Sequence, residues 1–199
     1  MIIPRALLRF FHRRADSMGM PAEVPYYTVE MVRAIPDDRN RYEAVHGELL
    51  VSPSPRRTHQ VVVGSLFLEL APYVRRWGLG QVLVAPFDLV HGRTSLVVPD
   101  VLVLRAGAEG EAMCQLRDAI LLVEVLSPSS RKPDRFTKRR LYQEAGVPAY
   151  WMVDVDSGAV EVWTPADEFP RVEREQVEWR PAGAGEGLVL SLDRLLRTT

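Results

Sequence analysis

Glu124 stands in the middle of an apolar run, Leu121-Leu122-Val123-Glu124-Val125-Leu126. A carboxylate among such neighbours is costly to bury as a lone ion, so it requires a compensating cation. A second acid has the same kind of surroundings: Asp100, preceded by Pro99, within the stretch Leu96 to Leu104, LVVPDVLVL. Two apolar strands, each carrying one acid, are what a divalent-metal site built on a sheet needs. Hard Mg²⁺ prefers oxygen ligands and usually takes one or two protein carboxylates, completing its shell with water and substrate phosphate oxygens. Lys138 lies on the element that follows the second strand, where its ammonium group can reach back over the sheet.

These residues must be positioned by strands and helices that the pattern partly reveals. Tyr27 to Ile35 spaces Val29, Val32 and Ile35 on one helical face, with Thr28 as N-cap. Tyr42 to Val51 reads as a strand or bent hairpin around His46 and Gly47, carrying the acids Glu43 and Glu48. From Thr58 to Trp77 the residues Val62, Leu66, Leu70 and Val74 recur at helical spacing, with Thr58 as the expected cap and Pro72 expected to kink or shorten the helix. Three strands are predicted next: Gln81 to Val90, interrupted by Pro86 and so bulged or at an edge, then Leu96 to Leu104, then Ala119 to Leu126. Residues 105–118 read as a loop. A basic helix is predicted from Pro133 to Ala145, stopped by Gly146. Strands from Ala149 and Ala159 follow, joined by the turn Asp156-Ser157-Gly158, and the tail from Arg171 to Leu196 supplies one or two edge strands.

Composition bounds the classes open to the chain. Its 199 residues, 47% hydrophobic and 26% charged, suit one folded domain with a sizeable core and exclude disorder as a description of the whole. Residues 25–199 are expected to form that domain, and residues 1–24 a poorly ordered extension or a stretch upstream of a start near Met18 or Met20. Arg5 and Arg9 interrupt what would be a signal peptide's apolar segment. No stretch approaches the roughly 18 apolar residues of a membrane span. The single cysteine, Cys114, excludes an intrachain disulfide and fits a reducing, cytoplasmic setting. A net charge of -1 gives no global attraction to nucleic acid. Locally, however, Arg131, Lys132, Arg135, Lys138, Arg139 and Arg140 stand against the one acid Asp134.

The order of parts, Pro99-Asp100 in one strand and Glu124 in a strand running into a helix, resembles the PD-(D/E)XK nuclease superfamily. The wider set of motifs is more specific. YEAVHGELLVSPSP from Tyr42, His59 opening a helix, VPDVLVL, EVLSPSS, Asp134 to Lys138 and YQEAGVPAYWMVD together look like the bacterial Uma-type family of restriction-endonuclease-like proteins, over roughly residues 28–165. The resemblance implies an α/β fold, a central mixed β-sheet flanked by helices. One departure stands out: Leu126 occupies the position two after Glu124 where the superfamily motif has its lysine, and Lys138 on the helix is the residue that matches.

The resemblance implies a Mg²⁺-dependent endonuclease (Mn²⁺ as alternative metal) acting on DNA, with a homodimer expected. Asp100 and Glu124 would ligate the metal with the Val125 carbonyl, Lys138 would orient the attacking water, and Glu48 would be an outer ligand or base. Tyr142, one helical turn beyond Lys138, would support it or touch phosphate. His59, Arg56 and its neighbour Arg57, and Arg135 and Arg139 of the basic run would contact the DNA backbone, where phosphate neutralisation supplies sequence-independent affinity. Two other classes stay open: a catalytically silent nucleic-acid-binding or assembly module of the same fold, and an enzyme acting on a different phosphate ester.

Overall fold

A computed structural model of the chain describes residues 26–127 and 133–197. The expected N-terminal extension, residues 1–24, lies outside the described residues, as do Arg131 and Lys132 of the basic run. No helix among the described residues is long and apolar enough to cross a membrane.

Helix α1 (Val29–Arg33) begins as the sequence requires, Thr28 accepting the Met31 N–H at 3.3 Å through its hydroxyl. The hairpin β1 (Asn40–Val45) and β2 (Glu48–Pro53) turns at His46 and Gly47, both with positive φ (49° and 83°). That backbone matches the right-handed twist of the paired strands, which is why a glycine serves there. The 20-residue helix α2 (Arg57–Arg76) buries Val62, Leu66, Leu70 and Val74, the predicted stripe. One expectation about it is corrected: its N-cap is Arg56 rather than Thr58, which lies inside the first turn. Of the two effects expected of Pro72, shortening does not occur, because the helix runs on past it for another turn.

Two of the predicted strands are each divided between two sheets. Gln81 to Val90 becomes β3 (Gly80–Val84) and β4 (Asp88–His91), parted at Pro86. Leu96 to Leu104 becomes β5 (Ser95–Val97) and β6 (Val101–Arg105), parted at Val98-Pro99-Asp100. The second break has a local cause. Pro99 has no N–H to donate to a ladder, and the Val98 N–H goes instead to the Glu43 carboxylate at 2.8 Å. The predicted loop 105–118 contains a short strand β7 (Met113–Gln115), parallel to β4, and a 3₁₀ turn at Leu116–Asp118.

Strand β8 (Ala119–Val125) carries Glu124 and leads, beyond the stretch outside the described residues, into a wide π-type helical turn (Pro133–Lys138) and α3 (Arg139–Glu144). The chain returns as β9 (Tyr150–Asp154), parallel to β8, and β10 (Ala159–Trp163), antiparallel to β9. The tail forms the edge strand β11 (Arg171–Glu173), a separate pair β12 (Gln176–Trp179) and β13 (Leu188–Ser191), and the short helix α4 (Leu192–Leu195).

The result is a mixed six-stranded sheet ordered β11-β10-β9-β8-β6-β3, beside a five-stranded sheet ordered β2-β1-β5-β4-β7. Side chains alternate across the six-stranded sheet. Val101, Val103, Leu121 and Val123 pack under α2 and the β12–β13 pair, whereas Leu102, Leu104, Leu122 and Met152 face α3 and the five-stranded sheet. The central strands β6, β8 and β9 are therefore buried on both faces, which explains why their residues read as continuous apolar runs. Glu124 shares the parity of Leu122 and so points into the space between the two sheets.

Candidate active site

Four carboxylate and ammonium groups lie almost fully buried where the two sheets meet: Glu43 at 1%, Asp100 at 3%, Glu124 at 1% and Lys138 at 3% exposure. Val101 pairs with Val123, so the next position outward sets Asp100 opposite Glu124 across the β6–β8 seam. Both acids line one cleft of about 430 Å³, together with Arg41, Arg56, His59 and Lys138.

The Lys138 Nζ lies 2.8 Å from Glu43 Oε2 and 3.0 Å from Glu124 Oε1, one carboxylate from each sheet. One turn further along the helix, the Tyr142 hydroxyl donates to the same Glu124 oxygen at 3.0 Å. Its ring meets Tyr150 edge-on at 4.8 Å between centroids, which holds the hydroxyl in place. Glu43 is anchored at its other oxygen by the Val98 N–H. The ammonium is thus fixed by groups that are themselves fixed.

Asp100 has a separate set of partners. Its Oδ1 accepts from Arg41 Nη1 at 2.9 Å, and Arg41 also donates to the Val98 carbonyl at 3.1 Å. Its Oδ2 lies 2.9 Å from His59 Nε2 and accepts the Val125 N–H at 2.9 Å. Burial by itself would raise this carboxyl's pKa, but the His59 hydrogen bond, the Arg41 charge and the Val125 N–H outweigh it and hold it down at about 2. Arg41 moves the opposite way: burial opposes its charge, yet Asp100, Glu124 and Glu43 together raise its pKa. His59 presents Nε2 to Asp100 from the first turn of α2, and its buried Nδ1 has no hydrogen-bond partner.

The predicted residues Asp100, Glu124, Lys138, Tyr142 and His59 are thus brought together, with Arg56 exposed at the rim and Val125 contributing its N–H to Asp100. Three are not. Glu48 is exposed at the start of β2, opposite Val45, and does not line the cleft. Arg135 bonds Glu161 at 3.0 Å, and Arg139 stacks on the Trp163 ring at 4.6 Å while donating to Gln143 at 2.6 Å. Arg135 braces the π-type turn, and Arg139 braces α3, against β10.

Two residues at the site were missed by sequence reasoning: Glu43, five residues before the chosen Glu48, and Arg41. Their signal was their spacing. In a strand, residues two apart share a face, so Arg41, Glu43 and Val45 form one row, whereas Glu48 follows the Gly47 turn.

Asp100 and Glu124 offer hard carboxylate oxygens on one side of one cleft, a donor set of the kind Mg²⁺ accepts when water and phosphate fill its other positions. Among the described residues there is no group of three or more His, Cys, Asp or Glu side chains spaced to hold a metal ion by themselves.

Comparison with known proteins agrees with the architecture. The crystal structure of a "putative nuclease belonging to DUF820" from Anabaena variabilis ATCC 29413 superposes with a TM-score of 0.69 at 22% identity, covering 85% of this chain and 97% of that one. No curated protein matches the chain. A family model, Uma2, described as "Putative restriction endonuclease", matches residues 29–194. That span includes both sheets and every residue of the cleft, and the chain belongs to the Uma2 family.

Proposed function

We propose that this protein is a Mg²⁺-dependent endonuclease that hydrolyses DNA phosphodiester bonds at the cleft between its two sheets. The observation that carries this reading is the meeting of Asp100 and Glu124 in one cleft, one step beyond the Val101–Val123 pair of the β6–β8 seam, beside a buried ammonium held by two carboxylates.

Asp100 and Glu124, with the Val125 carbonyl, would hold the metal. Bound there, Mg²⁺ supplies Lewis acidity at the phosphate and lowers the pKa of water. Lys138 places its ammonium where negative charge builds up on the phosphate and orients the attacking water. Charge placed in advance of the reaction needs no reorganisation during it. Water adds across one P–O ester bond: its oxygen bonds to phosphorus, the ester oxygen leaves, and the departing oxygen takes a proton. Tyr142 holds Glu124 and His59 holds Asp100, so each acid keeps its orientation. Arg56 at the rim meets the DNA backbone. Cleavage of both strands uses two copies of the site, and the reading includes a homodimer.

Incubation with supercoiled plasmid and Mg²⁺ or Mn²⁺ tests the reading. Nicking that disappears in Glu124→Ala supports it. No nicking at any pH, or nicking that survives that substitution, overturns it.

A second reading, a silent DNA-binding module, is favoured by one observation: both Asp100 oxygens already accept from Arg41, His59 and Val125. It requires salt-dependent DNA binding with no cleavage and no metal uptake at the two acids.

A further inference from the structure

Arg41 lines the cleft and has no part in the catalytic roles given above. It stands on β1, two residues before Glu43, and its side chain is 24% exposed while that of its partner Asp100 is 4% exposed. The guanidinium therefore spans from a buried carboxylate to the open cleft. Its Nη1 is shared between Asp100 Oδ1 and the Val98 carbonyl. The other Asp100 oxygen is taken by His59 and by a backbone N–H that cannot leave without breaking the seam. Of the groups on Asp100, Arg41 is thus the one on a long, rotatable arm.

The buried cluster sets three acidic side chains, Glu43, Asp100 and Glu124, beside Arg41, Lys138 and the His59 ring. A guanidinium and a metal cannot both occupy the same oxygen of Asp100, and two cations at that spacing repel.

We propose that Arg41 is an exchangeable counter-ion: it occupies Asp100 until a divalent cation displaces it, and the released guanidinium then turns into the cleft to bind the substrate phosphate. Metal loading and phosphate binding are coupled through one side chain. Guanidinium suits both positions, because its planar fork matches carboxylate and phosphate oxygens alike. The inference rests on the metal site proposed above.

Mn²⁺ binding to the full chain without DNA, followed by electron paramagnetic resonance, separates the two ideas. Expected is weak binding by the wild type, binding about tenfold or more tighter in Arg41→Gln, since a charged hydrogen bond no longer competes, and none in Asp100→Asn. If neither the wild type nor Arg41→Gln takes up Mn²⁺, the metal site itself is wrong. If the wild type binds Mn²⁺ and Arg41→Gln binds it equally or more weakly, the exchange is overturned while the metal site stands.

Two further measurements complete the test. In wild-type protein labelled with ¹⁵N-arginine, Mg²⁺ should shift the Arg41 Nε–H resonance, assigned by its loss in Arg41→Gln or, should that variant not fold, in Arg41→Lys. A resonance that stays still while metal binds overturns the proposal. With Ca²⁺ present to limit cleavage, Arg41→Gln should bind duplex DNA about tenfold more weakly than wild type, yet equally well in EDTA. An equal loss under both conditions would mean that Arg41 contacts DNA without any exchange.

Discussion

Lys138 joins two carboxylates that come from different sheets, so its removal does more than delete a contact. Lys138→Met would leave Glu43 and Glu124 buried without their shared ammonium, and breaking a buried ion pair from one side costs about 3–5 kcal/mol. Urea unfolding should show a loss of that size, and plasmid nicking should vanish. Asp100 carries a second expectation, in pH. Its carboxyl is lowered from an ordinary 3.8 to about 2. A depressed carboxyl contributes stability that is fully present above the unfolded value and is lost as pH falls through the folded one. The advantage of wild type over Asp100→Asn should therefore be steady above about pH 4 and shrink by roughly 2 kcal/mol toward pH 2. Denaturant unfolding at stepped pH measures it; a constant difference across that range would refute the assignment.

At the scale of elements, the site depends on β6 keeping its register against β8, because that register sets Asp100 opposite Glu124. Strand β3 supports β6 from the other side, and its first residue, Gly80, lies opposite Arg105. Gly80 has φ 137°, and a Cβ there would collide with the Leu104 carbonyl oxygen. Gly80→Ala must therefore both strain the backbone and push β6 away. The expected cost is at least about 2 kcal/mol, read by thermal or urea unfolding, with weakened nicking even below the melting temperature. The hairpin β1–β2 delivers Arg41 and Glu43 to the same seam, through contacts 55 to 59 residues apart in the chain.

Taken as a whole, the molecule has a net charge of -1, so its attraction for a polyanion must be local. Arg56 stands at the cleft rim, whereas Arg135 and Arg139 are engaged by Glu161, Trp163 and Gln143. Arg56→Ala should lower DNA affinity and reduce the slope of log affinity against log salt by about one. Arg139→Ala should leave that slope unchanged and cost about 0.5–1 kcal/mol of stability through the lost cation–π contact. Filter binding across a salt series, with urea unfolding alongside, distinguishes the two. The reverse outcome would move the DNA track to the α3 face.

The sequence by itself determined what local pattern can encode. The helical stripe of α2, the turn at His46-Gly47, the apolar strands flanking each acid and the lysine one turn before Tyr142 all repeat at a period set by backbone geometry. Only the tertiary structure decided which acids meet. Glu43 and Glu48 stand on one hairpin and look alike in sequence, yet one is buried against Lys138 and the other faces solvent. The strand through Asp100 breaks because Pro99 cannot donate and Val98 donates to Glu43, a partner 55 residues away. Period and propensity are properties of neighbours along the chain. The neutralisation of a buried charge is a property of neighbours in space, and for Asp100 that neighbour is Arg41, 59 residues upstream.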